Sequence, residues 1–191
     1  MTVDRKQEIL QAARHSFATF GYKATTMDHV AKAANVGKGT IYNFFKNKEE
    51  LFQEIIGELL KEMKQNAETN LPDNCRFQEK VHLALYGLLE FRRSNPLMVK
   101  LVQEAKEIGT GPVKQALAHE EGVIIDYLRK EINQAIEQGD IRSCHPDMTA
   151  FMMYKLYTAF TIDWEENHAP LQKAEVAHYF DEYVFKGLSP S

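Results

Sequence analysis

The chain has 191 residues, of which 44% are hydrophobic, and a formal net charge of −4. This length and apolar content suffice for one or two compact domains and argue against intrinsic disorder. The first residues are polar and no run approaches 18 apolar residues, so neither a signal peptide nor a membrane span is predicted, and we expect a cytoplasmic protein. Two isolated cysteines, Cys75 and Cys144, argue against a disulfide framework and a zinc knuckle.

The charge is distributed unevenly along the chain. Residues 1–48 carry eight Lys and Arg against three Asp and Glu, a net charge of +5, whereas the remaining residues carry −9. A basic segment on an acidic body is typical of a polyanion-binding end joined to a part with another role. A charge difference of this size is weak evidence by itself.

Helical periodicity begins in the basic segment. Two apolar stripes at helical spacing predict the first two helices, and they consist of Ile9, Ala13, Phe17 and Phe20 and of Met27, Val30, Ala31 and Ala34. Gly21 is expected to end the first helix, and Gly37 marks the gap after the second. Start signals for the second and fourth helices are Thr25 with Asp28 and Asn47 with Glu50.

Helical patterns also fill the rest of the chain, and alternating strand patterns are absent. A long fourth helix is predicted to run to about residue 67. Further helices are predicted over residues 76–93, 96–107, 112–138, 147–166 and 171–187. The predicted fold class is therefore all-α, with about nine helices arranged as an amino-terminal three-helix head and a helical body.

The third helix lies within the segment VGKGTIYNFFKNKEEL, residues 36–51. Because a helix of about eight residues buries little apolar area, its inward side chains must be few and large, and Ile41 and Phe45 are predicted to supply them. The residues expected to receive them are Phe17, Phe20 and Ala31. The opposite face then carries donors and a phenol that suit the base edges and phosphates of a duplex groove. We interpret the segment as the recognition helix of a helix-turn-helix.

Candidate DNA-binding residues lie on this outer face and at the starts of the flanking helices. Lys38, at the start of the third helix, can reach a guanine or a phosphate, and the helix dipole adds positive potential there. Gly39 has no side chain to hold the backbone away from DNA. The residues at the starts of the flanking helices would contact the duplex backbone on either side. The full set is Thr26, Lys38, Gly39, Thr40, Tyr42, Asn43 and Lys48.

The run FATFGYKATTMDHVAKAANVGKGTIYNFFKNKEELF resembles the amino-terminal domain of the TetR (tetracycline repressor) family of bacterial transcription regulators. The matching elements are FGY, TT, V-x-KGT-I/L-Y and F-K-x-K-E-x-L-F. The resemblance covers residues 3–63, with the helix-turn-helix at about 26–45, and implies binding to double-stranded DNA. Residues 64–191 then correspond to an effector-binding and dimerisation domain. Spacing alone would also allow a helical bundle with a solvated basic face.

The sequence departs from the family pattern after Tyr42. Family members often carry tyrosine and then histidine there, whereas this chain has Asn43 and Phe44. A contact through that histidine is therefore not carried over. Because an asparagine can pair bidentately with adenine, Asn43 is the hypothesis for base specificity.

The segment AFMMYKLYTAFTIDW, residues 150–164, is apolar around most of its circumference and needs burial on two sides. A second subunit is the simplest cover for one side, and a central helix in a monomer is the alternative. A homodimer would also present two heads to a palindrome. Candidate interface residues are Phe151, Tyr154, Tyr157, Phe160, Trp164, Phe180 and Val184.

The resemblance also implies a cavity for a hydrophobic or amphipathic small-molecule effector among the middle helices. Candidate lining residues are Tyr86, Leu89, Met98, Leu101, Val102, Ile124 and Tyr127. Plain core packing explains the same residues. No cofactor is predicted, and the sequence does not name the effector or the operator.

A carboxylate-bridged metal enzyme is the second class of protein considered. Glu-x-x-His, the spacing used by di-iron bundles, occurs at Glu79 with His82, Glu165 with His168 and Glu175 with His178. Exposed polar helix faces explain the same pairs. Phosphate-loop, Rossmann and Gly-x-Ser-x-Gly patterns are absent. We therefore predict no catalytic residues and no metal site, and interpret the protein as a homodimeric repressor that an effector releases from its operator.

Overall fold

A computed structural model of the chain describes residues 4–68, 72 and 75–188. These residues form nine helical segments and no strand, which confirms the all-α fold class. The helices are α1 (Arg5–Ala24), α2 (Met27–Ala33), α3 (Lys38–Phe44), α4 (Lys48–Glu68), α5 (Phe77–Ser94), α6 (Pro96–Glu107), α7 (Gly111–Gln138), α8 (Pro146–Thr158) and α9 (Lys173–Phe180). A wider turn, Ala159–Asp163, and a tighter turn, Trp164–Glu166, continue α8, while a wider turn, Asp181–Phe185, and a short α-helical turn, Lys186–Leu188, continue α9. None of the described helices has the length and apolar content needed to cross a membrane.

The helices group into two compact units. One contains the chain up to Glu62 together with Arg92–Ala118, and the other contains Met63–Phe91 and the chain from His119 onward. The sequence assigned α6 to the body, whereas this grouping places it with the amino-terminal helices. The functional division into residues 3–63 and 64–191 stays a prediction.

The first unit has an aromatic core. The ring centroids of Phe17 and Phe52 lie 5.5 Å apart in an edge-on contact, and both side chains are fully buried. Tyr22 completes the cluster, with its ring 4.7 Å from that of Phe52. Ile41 and Phe45 are also buried, as predicted for the inner face of α3.

Phe20 does not join this core, so that part of the prediction is wrong. Its side chain is 59% exposed. Helical geometry breaks at Gly21, where φ is +82°, and the chain then turns Tyr22 inward. Because the Tyr22 ring stacks 5.8 Å from Phe17, it occupies the part of the core that the helical spacing had assigned to Phe20.

The start of α2 lies one residue later than predicted. Thr26 is its N-cap, since its hydroxyl oxygen accepts a hydrogen bond from the His29 N–H at 3.2 Å. Thr25 is fully buried and donates its own hydroxyl to the carbonyl of Gly21 at 2.7 Å. The start signal of α4 is confirmed, because Asn47 Oδ1 accepts the backbone N–H three residues later at 2.8 Å.

The core of the second unit contains buried side chains from α5, α7, α8 and α9. Two predicted interface residues lie inside this unit: Phe180 is 1% exposed and Tyr154 is 8% exposed. Both side chains are buried in the single chain, and their assignment to a dimer interface stays a prediction. Leu89, a predicted effector residue, belongs to the same core cluster.

A cavity of about 380 Å³ lies in the second unit between the start of α5, the turn after α7 and the end of the chain's described part. Its lining residues are Arg76, Phe77, Gln78, Gly139, Asp140, Ile141, Phe185 and Leu188. None of the predicted effector residues lines it. Those residues divide between the units, with Met98, Leu101 and Val102 in the first and Tyr86, Leu89, Ile124 and Tyr127 in the second. The effector assignment stays a prediction.

The three Glu-x-x-His pairs have other partners. Within the described part of the chain, no three His, Cys, Asp or Glu side chains are arranged to hold a metal ion. His82 Nε2 lies 2.9 Å from Asp181 Oδ1, and the His168 ring stacks on Trp164 at 3.8 Å. Glu175 accepts the backbone N–H that precedes α9 at 2.7 Å. The pairs thus contribute to local packing and to helix capping.

The stability of the second unit is expected to depend on Glu120 of α7. Burial, together with the charge of Glu121, raises the pKa of the Glu120 carboxyl from 4.5 to about 7. The folded chain therefore binds more protons at this group than the unfolded chain, and stability falls as the pH rises from about 4.5 to about 7. We expect Glu120→Gln to raise the free energy of unfolding by roughly 1–3 kcal/mol at pH 8 and to change it little at pH 4.5.

Urea unfolding of both proteins at the two pH values measures this difference. Glu137→Gln, at an exposed position on the same helix, is the control and should have little effect at either pH. An equal effect of Glu120→Gln at pH 4.5 and pH 8 would contradict the assignment of the raised pKa.

Candidate nucleic-acid interface

The turn between α2 and α3 depends on Asn35. Its φ is +52°, a left-handed conformation that asparagine tolerates better than most residues. The N–H groups of Asn35 and Val36 close the end of α2 by donating to the carbonyls of Lys32 at 3.1 Å and Ala31 at 3.0 Å. The sequence predicts that Gly37 interrupts the helical structure between α2 and α3. Gly37 is instead extended, with φ −67° and ψ 151°, and directly precedes α3.

The two faces of α3 are arranged as the sequence predicts. Ile41 and Phe45 are buried, at 0% and 2% exposure, and hold the helix on the first unit. The opposite face is open to solvent. It contains Lys38, Gly39, Tyr42 and Asn43, which are exposed, and Thr40, which is partly exposed. This face also contains Phe44, which is 41% exposed and was not among the candidates.

Gly39 leaves the backbone of α3 open to close approach. A Cβ atom built on this residue meets no other atom within 4 Å. The glycine is therefore not required by packing within the protein. Its helical position is one where alanine would be more favourable for the isolated chain.

Lys38 is paired with an acid on the preceding helix. Its ammonium nitrogen lies 2.9 Å from Asp28 Oδ1 and 3.0 Å from Oδ2, and this hydrogen-bonded pair raises the pKa of Lys38. Both side chains are exposed, so the interaction is screened by solvent. A phosphate that reaches Lys38 must compete with Asp28. Sequence reasoning missed this partner because nothing in the spacing of the two residues indicates a contact.

Lys48 holds the turn that precedes α2. Its ammonium donates to the carbonyls of Tyr22 and Thr25, each at 2.8 Å, and lies 4.3 Å from the centre of the Tyr22 ring. Burial lowers the pKa of Lys48. Two of its three N–H groups therefore bind protein carbonyls, a role the sequence did not reveal. A phosphate contact through the third N–H group stays a prediction.

The comparison with known proteins identifies the class. A helix-turn-helix with an anchored inner face and an exposed outer face defines a DNA-binding head, and residues 9–55 match the family model described as bacterial regulatory proteins of the tetR family. The chain is 53% identical over 189 residues to the HTH-type transcriptional regulator YhgD of Bacillus subtilis, with 99% of each chain covered. The protein belongs to the TetR family of transcription regulators and is not an enzyme.

Two more distant proteins share almost the full length. The chain is 24% identical over 197 residues to the HTH-type transcriptional repressor KstR2 of Mycolicibacterium smegmatis, covering 98% of this chain and 92% of KstR2. Its fold is similar to that of AibR, whose crystal structure is a complex with isovaleryl coenzyme A and operator DNA. That likeness has a TM-score of 0.68 at 21% identity and covers 95% of this chain and 98% of AibR.

We expect Gly39→Ala to separate folding from DNA binding. Because the added methyl group meets no protein atom, the variant should be as stable as the wild type or more stable by about 0.5–1 kcal/mol. If DNA approaches the backbone at this point, the methyl group should weaken binding to a duplex selected from a random pool by about tenfold or more. Fluorescence anisotropy and urea unfolding measure the two quantities.

Gly57→Ala is the matched control. Gly57 lies within α4, and a Cβ built on it also meets no atom within 4 Å. The control should gain similar stability and bind the duplex like the wild type. Equal affinities of the two alanine variants would contradict close approach of DNA to Gly39.

Proposed function

We propose that the protein is a repressor that binds a palindromic operator as a homodimer and is released from it by a small-molecule effector. The observation that carries this proposal is the outer face of α3. In a head held in place by Ile41 and Phe45, this face offers an ammonium, hydroxyl groups, an amide and a bare backbone position side by side. These are the groups that read base edges and phosphates in a major groove.

The proposed contacts divide into positioning and base reading. Thr26 accepts the cap hydrogen bond of α2 with its oxygen, which leaves its hydroxyl hydrogen for a phosphate. Lys38 and the remaining N–H group of Lys48 supply charge to the duplex backbone. Thr40 and Asn43 lie on α3 where base edges would pass, and Asn43 suits an adenine. Tyr42, at 43% exposure, adds a phenol for a phosphate.

Exposed apolar side chains on and after α8 support a homodimer. Ala150 and Met153 are buried in the second unit, whereas Phe151 is 45% exposed and Met152 is 61% exposed on the other side of the helix. Further exposed residues of this set are Met148, Trp164 and Tyr183. Neighbouring exposed apolar side chains such as Phe151 and Met152 favour a protein partner over solvent. A second copy is the partner that a palindromic operator requires.

The effector is proposed to be hydrophobic or amphipathic. AibR is described with isovaleryl coenzyme A, which has an apolar acyl group on a polar carrier, and KstR2 is named a repressor. An effector that prefers a conformation with the wrong spacing of the two heads would release the operator by a population shift. Effector and operator would then weaken each other's binding reciprocally, typically by about 1–3 kcal/mol.

Selection from a random duplex pool with the full-length protein, followed by sequencing, tests the proposed function. We expect an enriched palindrome for the wild type, because two identical heads read the same sequence on opposite strands. Thr40→Ala should lose most of the enrichment, and Gly57→Ala should retain it. No enrichment at low salt with demonstrably folded wild type would contradict operator binding.

Met152→Glu should convert the homodimer to a monomer. The side chain is 61% exposed in the single chain, so the substitution is expected to leave the fold intact but to place a charge in the proposed interface. Sedimentation equilibrium measures the mass. Ile108→Glu, at a 51% exposed apolar residue of the first unit, is the control and should stay dimeric. Equal masses of the wild type and the Met152 variant would contradict the interface.

A further inference from the structure

The backbone at Gly21 is fixed by an acid from α6. Gly21 has φ +82° and ψ 168°, a conformation that only glycine adopts easily. A Cβ atom at this position would lie 2.5 Å from Glu104 Oε2, which is closer than side-chain atoms approach. The backbone conformation therefore requires glycine, and the carboxylate of Glu104 occupies the space that a side chain would take.

Glu104 binds the two residues that follow. Its Oε2 accepts the Tyr22 N–H at 2.6 Å and its Oε1 accepts the Lys23 N–H at 3.0 Å. The side chain is 4% exposed, although glutamate is seldom buried. These donors lie 82 and 81 positions away in the chain. A buried carboxylate that binds two backbone N–H groups stabilises one conformation of that backbone.

The ammonium group of Lys48, on α4, binds the carbonyl groups of the same segment. Lys48 donates to the carbonyls of Tyr22 and Thr25, while Glu104 accepts the amides of Tyr22 and Lys23. Within residues 21–25, two N–H groups are thus bound by α6 and two C=O groups by α4. The next residue is Thr26, the N-cap of α2. The direction in which α2 leaves the segment depends on both contacts.

We propose that Glu104 is the positioning residue through which α6 fixes the helix-turn-helix for DNA. Glu104 lies on α6, which packs against α1 within the first unit. Because α2 begins directly after the bound segment and α3 packs on α2, a change in the backbone conformation of residues 22 and 23 displaces the outer face of α3. A shift of α6 that removes the carboxylate leaves the N–H groups of Tyr22 and Lys23 without this acceptor, whereas the bonds from Lys48 to the carbonyls of Tyr22 and Thr25 remain. The inference rests on the proposed DNA-binding function.

Glu104→Gln tests this role with the smallest change in shape. The amide oxygen can accept one of the two N–H groups, whereas its NH2 group faces the other donor. We expect affinity for the duplex selected by the wild type to fall by about tenfold or more, because hydrogen bonds to a charged acceptor are among the stronger ones. Affinity for a scrambled duplex should change less than about threefold, since phosphate contacts do not need the correct placement of α3.

Glu107→Gln is the matched control, because it removes the same charge from an exposed position on α6. It should bind both duplexes like the wild type. Glu104→Asp keeps the charge but shortens the side chain, so it should weaken specific binding in the same direction. If urea titrations show that Glu104→Gln is unfolded, the duplex affinities of Glu104→Asp test the positioning role instead.

Amide hydrogen exchange without DNA separates the possible failures. In Glu104→Gln the N–H groups of Tyr22 and Lys23 should exchange faster than in the wild type, while those of the α4 interior should not change. Unchanged exchange and unchanged specific affinity in a wild-type background that selects a palindrome would overturn the positioning role alone. A wild type that selects no duplex would overturn the proposed function and, with it, this inference.

Discussion

The burial of Ile41 and Phe45 is the interaction on which the DNA-reading surface depends. A helix of seven residues, Lys38–Phe44, has too few internal hydrogen bonds to be stable alone in water. Its conformation is therefore set by packing, and the two buried side chains decide which face meets solvent. The same packing leaves Gly39, Tyr42 and the exposed Lys38–Asp28 ion pair on the solvent side of the helix.

Polar contacts determine where this small helix points. Asn35 supplies the left-handed turn between α2 and α3, and the segment after Gly21 sets the direction in which α2 begins. That segment is bound by Glu104 and Lys48, whose charges are partly or fully buried and satisfied by backbone groups. Because a buried charge without partners is costly, these contacts favour a single arrangement of the head. The apolar core stabilises the fold of the head, and the charged contacts fix the orientation of α2 and α3.

Local patterns predicted the helices and the inner face of α3, because helical spacing and N-cap chemistry depend on residues close together in the sequence. The N-cap Asn47, which precedes α4, is an example. The pattern failed for Phe20, since the break at Gly21 lets Tyr22 take its place in the core. The contact of Glu104 with the amides after Gly21 spans about 80 positions and leaves no local signal. The two sides of α8 were also indistinguishable, because both are apolar and only packing shows that Tyr154 faces the core.

Backbone amide chemical shifts of the full chain, recorded with the selected duplex and with a scrambled duplex of equal length, test the central claim that the outer face of α3 reads DNA. We expect the selected duplex to shift the amide signals of residues 26–29 and 37–44 strongly, and the scrambled duplex to shift them weakly. Strong shifts confined to other residues, such as 146–166, with those of α3 unchanged, would contradict it.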